Sequence, residues 1–159
     1  MKTTHQLLIL MVVISLMSCR GQLHVVTLYV DTAQIDQTSI DQHASFGQPA
    51  GIANKDFTTH VRKRDRIIWD AVSISNPSDE VKITAINHIS GERIFERKMF
   101  YTGSDVDKIV AGANKIVAGK IKKRPNNKMA YIIEKYGLEF SVSNKDGIFK
   151  IDPVLKGHQ

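Results

Sequence analysis

Apolar positions along this chain follow two different rules. From Leu7 to Met17 they form a run of eleven residues in which only Ser15 is polar; after Gln22 they mostly alternate with polar ones. Alternation with period two is the mark of a strand with one buried face. LHVVTLYV (Leu23–Val30) reads as a first strand. FTTHV, with Phe57, Thr59 and Val61 on one side, reads as a second, and RIIWDAVSI as a third after the turn RKRD. SNPSD is a strong turn, because Pro77 fixes its own backbone while Ser78 and Asp79 bond back to theirs. EVKITAINHI directs Val81, Ile83 and Ala85 inward and then slips phase to Ile86, which predicts a β-bulge. RIFERKMFY has no clear period. KIVAGANKIVAGKIKK predicts two short edge-strand pieces broken by Gly112 and Gly119. Its glycines and β-branched residues disfavour helix, and one repeat of KIVAG is too short for a coiled coil. LEFSV and IFKIDPV flank SNKDG, where Asp146-Gly147 marks a hairpin. Asp31 to Lys55 reads as a long polar loop. The sum is an all-β fold, a single antiparallel β-sandwich of about eight strands.

The unbroken run needs another explanation. It is too short to cross a hydrocarbon core, which takes about 20 residues, and with Lys2 ahead of it it suits the apolar centre of a signal peptide. The run ends in Leu16-Met17-Ser18-Cys19, the only cysteine in the chain. These four residues resemble the lipobox of bacterial lipoproteins. That resemblance implies removal of residues 1–18, lipidation (palmitate among the acyl groups) at Cys19, and a single domain over residues 19–159. It places the protein in the bacterial cell envelope, held to membrane lipid through Cys19 outside the cytoplasm. An ordinary signal peptide cut a few residues later and an uncleaved anchor are the alternatives.

Composition changes the picture little. Without Lys2, the 22 Lys and Arg become 21 against 16 Asp and Glu, and a chain of this size buries a core without disulfides. Having one cysteine, it forms no internal disulfide and offers no thiol-based metal or nucleophile chemistry in the folded body.

HVRKRDRIIWDAV resembles a strand–turn–strand of cupredoxin-like domains, with Lys63, Asp65, Ile67, Ile68 and Trp69 in the corresponding places. YGLEFSV resembles that family's penultimate strand through Tyr136 and Phe140. The resemblance implies a cupredoxin- or immunoglobulin-like sandwich, and LYVDTAQID and FKIDPVL are also similar to small secreted β-proteins. The copper site is not implied. It requires two His and one Cys, and beyond Tyr136 the chain holds no Cys and only His158. No metal or other cofactor is expected.

Candidate chemistry is sparse. His24, His43, His60 and His88 lack the spacing that builds a metal site on one element, although strands from different places could still assemble one. Asp31, Asp36 and Asp41 recur every five residues, a spacing that fits no calcium loop and reads as a polar loop. No nucleophile elbow or phosphate-cradling glycine loop occurs. Trp69 reads as core, with a sugar-stacking platform as its alternative. The informative pattern is charge. Ile109 to Ile133 hold no Asp or Glu but carry Lys115, Lys120, Lys122, Lys123, Arg124 and Lys128, and a second cluster comprises Arg62, Lys63, Arg64 and Arg66. Lys120, Lys122, Lys123, Arg124 and Lys128 are the expected contacts for anionic glycans or lipid headgroups, the alternative being a solvated basic loop that only keeps the protein soluble. Nucleic acid is disfavoured, since no aromatic interleaves Lys115 to Lys128. The expectation is a non-catalytic binding or structural module. Its alternatives are a glycan-acting envelope enzyme using Asp65, Asp70 or Asp79, and a self-assembling or adhesive subunit.

Overall fold

The computed structural model describes residues 21–95, 99–102, 115–126 and 129–159, which contain ten strands. They are β1 (Leu23–Val30), β2 (Ala44–Ser45), β3 (Thr58–Arg62), β4 (Arg66–Ser73), β5 (Val81–Gly91), β6 (Met99–Thr102), β7 (Lys115–Lys120), β8 (Tyr131–Val142), β9 (Phe149–Ile151) and β10 (Val154–His158). A one-turn helix α1 (Ile40–His43) and a 3-10 turn (Asn54–Asp56) complete the order.

The strands form two mixed sheets. One has the order β2-β1-β4-β7-β6; the other runs β3-β10-β8-β5, with β9 beside β8. The all-β expectation holds, but purely antiparallel pairing does not. β1 and β4 run parallel from Leu23↔Arg66 to Val30↔Ser73, and β3 and β10 from Thr58↔Val154 to Arg62↔His158. Parallel neighbours require a long crossover. The chain makes one by leaving β1, passing through β3 in the other sheet, and returning as β4. The turn RKRD is therefore a bridge between sheets, not a hairpin.

Both sheets feed one core. Leu28, Val30, Ile67, Trp69 and Val117 from the first meet Ile83, Ile86, Leu138, Phe140 and Leu155 from the second. Trp69 is 0% exposed and donates from Nε1 to the Tyr136 hydroxyl at 3.0 Å, which satisfies both groups in the dry interior. Its reading as core holds, and no ring face remains for a sugar. Burial and the Glu134 charge raise the Tyr136 hydroxyl pKa, against the Trp69 bond, so it stays protonated.

Several local expectations hold as well. β1 occupies the predicted stretch, with Val26, Leu28 and Val30 buried. The β5 bulge falls between Ile83 and Ala85, and its phase slip brings Ile86 to complete burial. Phe140 pairs with Phe149 across the predicted hairpin, whose Gly147 takes φ +89°. Others are corrected. The second KIVAG copy is β7, an interior strand between β4 and β6 with Gly119 opposite Ile67; the first copy lies outside the described residues. The loop after β1 contributes Ile35, Ala44 and Phe46 to the core. Buried Asn54 fastens it, donating to Ala44 O at 2.8 Å and Asp41 Oδ1 at 2.9 Å. Asp36 accepts from Thr38 N and Oγ1, both at 2.7 Å, and these bonds with those to Ser39 lower its pKa to about 2.

Candidate anion-binding site

The site begins with Asp65, the residue between the bridge turn and β4. Its carboxylate accepts from Gln22 N at 2.7 Å, Arg62 N at 2.7 Å and His24 Nε2 at 2.9 Å. A carboxylate can only accept, so His24 carries its proton on Nε2. Burial raises the Asp65 pKa, but the His24 bond, the two backbone bonds and the His24 charge outweigh it and hold the carboxyl below the ordinary 3.8. The start of β1 and the turn are thus locked together. Gly21 fits against the turn because it has no side chain; a Cβ there would lie 2.0 Å from Arg64 O. Arg64 itself takes φ +80°, a left-handed conformation that costs a non-glycine residue about 1 kcal/mol.

A second carboxylate builds the neighbouring segment. Glu134, 1% exposed, accepts from His88 Nδ1 at 2.9 Å, Ile94 N at 2.5 Å and Phe95 N at 3.3 Å. This fixes Arg93 and Phe95 beside the start of β8. Ile94 O in turn accepts from Lys122 N at 2.8 Å and Lys123 N at 3.3 Å. Ile121 closes the chain of contacts: its O accepts from Arg64 N at 3.0 Å, and its N donates to Asp65 O at 2.8 Å. Two basic clusters that lie far apart in sequence are thereby knitted through Ile121 and Ile94 into one end of the fold.

Two cavities open there, sharing Lys63. One, of about 580 Å³, is lined by Lys63, Arg93, Phe95, Lys122 and Lys123, with no carboxylate in its wall. Glu92 pairs with Lys123. The other, of about 630 Å³, has Arg62, Lys63 and Arg64 on one side and His24, His60 and His158 around it, with Gly21, Gln22, Val61 and Asp65 completing the wall. His60 Nδ1 and His158 Nε2 are 2.8 Å apart, their rings stacked at 5.0 Å between centroids.

Of the expected contacts, Lys122 and Lys123 enter a cavity, while Lys120 and Arg124 are exposed and line neither. Lys128 and Cys19 lie outside the described residues. Arg93 was not anticipated, and only its place beside the Glu134-bound segment brings it in. Nor did the sequence pair His60 with His158, whose meeting depends on the parallel β3–β10 register. The carboxylates weighed for catalysis do not converge. Asp65 is engaged as above, and Asp70 is buried in β4, where burial raises its pKa against a backbone bond from Ala71. Asp79 accepts from Thr32, Asn76 and Asn144 in the turn before β5. Among the described residues, no three His, Cys, Asp or Glu gather as a metal site, and no helix is long and apolar enough to cross a membrane.

Comparison with protein families and with well-characterised sequences gives no match. Among solved structures, the chain is similar to the inclusion body protein PixA from Burkholderia cenocepacia. The TM-score is 0.58 at 12% identity, over 89% of this chain and 96% of that one. The cysteine protease inhibitor EhICP2 from Entamoeba histolytica aligns with TM-score 0.39 at 11% identity, over 86% and 96%, which is too remote to carry an argument. At such identity the first likeness speaks for the fold alone.

Proposed function

We propose that this chain is a non-catalytic module of the bacterial cell envelope, tethered through lipid on Cys19 after removal of residues 1–18. Its body is a sandwich of cupredoxin- or immunoglobulin-like kind, and its basic end docks onto anionic lipid headgroups of the same membrane. One observation carries the reading. Gly21, two residues beyond Cys19, packs against Arg64 in the wall of a basic cavity. Two residues of chain reach at most about 7 Å, so tether and cations leave the fold together. Lys and Arg within about 8–10 Å of an anionic surface contribute on the order of 1 kcal/mol each. Acyl chains on Cys19 would supply durable attachment, and the cations would supply orientation.

Vesicle co-sedimentation tests this. The unlipidated chain of residues 19–159, with Cys19→Ser, should pellet with phosphatidylglycerol-containing vesicles at low salt, release as salt rises, and ignore phosphatidylcholine vesicles. Replacing Arg93, Lys122 and Lys123 by Glu should abolish binding. Equal pelleting with both vesicles, or binding that survives the charge reversal, refutes the docking. Selective binding to anionic surface glycans instead would reassign the partner.

A self-assembling subunit is the second reading, favoured by β5, which among the described residues pairs with β8 alone along its eleven residues. Lys82 and two register shifts oppose edge-to-edge growth. Concentration-independent elution of a monomer would dismiss it.

A further inference from the structure

We propose that the cavity around His60 and His158 is a proton-dependent binding site for a tetrahedral dianion, the phosphate or sulfate group of a small ester or headgroup. Docking rests on Gly21 and Arg64 in this cavity's wall, but the Arg93, Lys122 and Lys123 whose reversal tests docking do not line it, so the two proposals can fail separately.

The geometry sets the proton dependence. With nitrogens 2.8 Å apart, one imidazole donates to the other, which withholds one nitrogen of each ring from a ligand. When both rings are protonated neither can accept. The bond must open, and both nitrogens that shared it become N–H donors to a cavity already lined by Arg62, Lys63 and Arg64. Guanidinium groups match an oxyanion's edge, and imidazolium N–H groups add charge-assisted bonds. The one carboxylate in the wall, Asp65, is already spent on Gln22, Arg62 and His24.

The surroundings decide which ligand charge fits. Facing the pair are Arg62 on β3, Lys156 on β10, Lys63, Arg64 and the occupied Asp65 of the turn, and His24 on β1. From β8 comes Tyr131, whose ring carries Lys156 Nζ 3.9 Å from its centroid. Burial first, then the charges of His60, Lys156 and Arg62, lower the His158 pKa below the ordinary imidazole value. A metal cation would meet the same repulsion. A dianion reverses it, and by reciprocity each proton taken up strengthens the anion's hold while the anion raises proton affinity.

The test is titration calorimetry of the purified full chain with inorganic sulfate, whose charge stays constant across the imidazole range. Sulfate should bind at least about tenfold tighter at about pH 5.5 than at about pH 7.5. The paired substitutions His60→Asn and His158→Asn, on partly exposed rings, should remove that difference while Trp69 emission stays unchanged. In the wild type, NMR titration should show sulfate raising the His158 midpoint. A change smaller than tenfold, a pH dependence that survives in the variant, or an unmoved His158 midpoint overturns the proposal. Competition against phosphatidic acid vesicles, with chloride matching the ionic strength of the sulfate, identifies the source. Displacement by sulfate assigns a headgroup and retained vesicles assign a free anion, and either result upholds the site.

Discussion

Replacing Asp65 by Asn examines how the bridge turn is held. The wild-type carboxylate presents two oxygens to three donors: Gln22 N to Oδ1, and Arg62 N with His24 Nε2 to Oδ2. An amide offers one oxygen, so its NH₂ must face at least one of these donors. A buried donor left without an acceptor costs about 1–3 kcal/mol. At an m-value of about 2 kcal/mol/M, the midpoint of urea unfolding should fall by about 1 M. Trp69, the single indole and fully buried, reports the transition by its emission. The loss should also depend on pH. Because the folded Asp65 pKa lies below its unfolded value, its stabilisation is complete above the ordinary carboxylate range and fades as pH falls through the folded pKa. Wild type and variant should therefore differ most near neutrality and converge in acid. A midpoint shift below about 0.3 M, or a difference that stays constant into acid, would show that the carboxylate does not hold the turn.

Two further substitutions probe the same framework. Tyr136→Phe leaves the Trp69 N–H without its 3.0 Å acceptor in a dry core and should cost about 1–3 kcal/mol by urea unfolding; a loss under about 0.5 kcal/mol would mean another acceptor takes over. Arg64→Gly relieves the left-handed backbone and should stabilise the fold by about 0.5–1 kcal/mol while weakening sulfate binding. Unchanged stability together with unchanged binding would remove Arg64 from the site.

How much of this was legible beforehand depends on distance along the chain. β1, β4, the β5 phase slip and the Asp146-Gly147 hairpin were readable because alternation and turn chemistry are local. The direction of pairing was not, since a strand's period names its buried face and says nothing of its neighbour. KIVAG reads as an edge because its lysines suit one, yet β4 pairs along one side of it and β6 along the other, which makes β7 interior. Ile35 and Phe46 were hidden in a stretch whose polar residues obscured two buried anchors. The basic clusters were visible separately. Their union depends on a few backbone hydrogen bonds of Ile121 and Ile94, and Arg93 had no signal of its own. His60 and His158 stand 98 positions apart, so only the β3–β10 register brings them together.

The proposed docking sets the tether and the basic end against the same membrane. Amide NMR of the lipid-anchored protein on nanodiscs carrying a gadolinium-chelating lipid measures it directly. Broadening should be strongest at Arg62–Arg64, Arg93 and Lys122–Arg124, and weakest at the far turns, Asn76–Asp79 and Asn144–Gly147. Strongest broadening at those far turns, or a uniform effect over all of them, would contradict it.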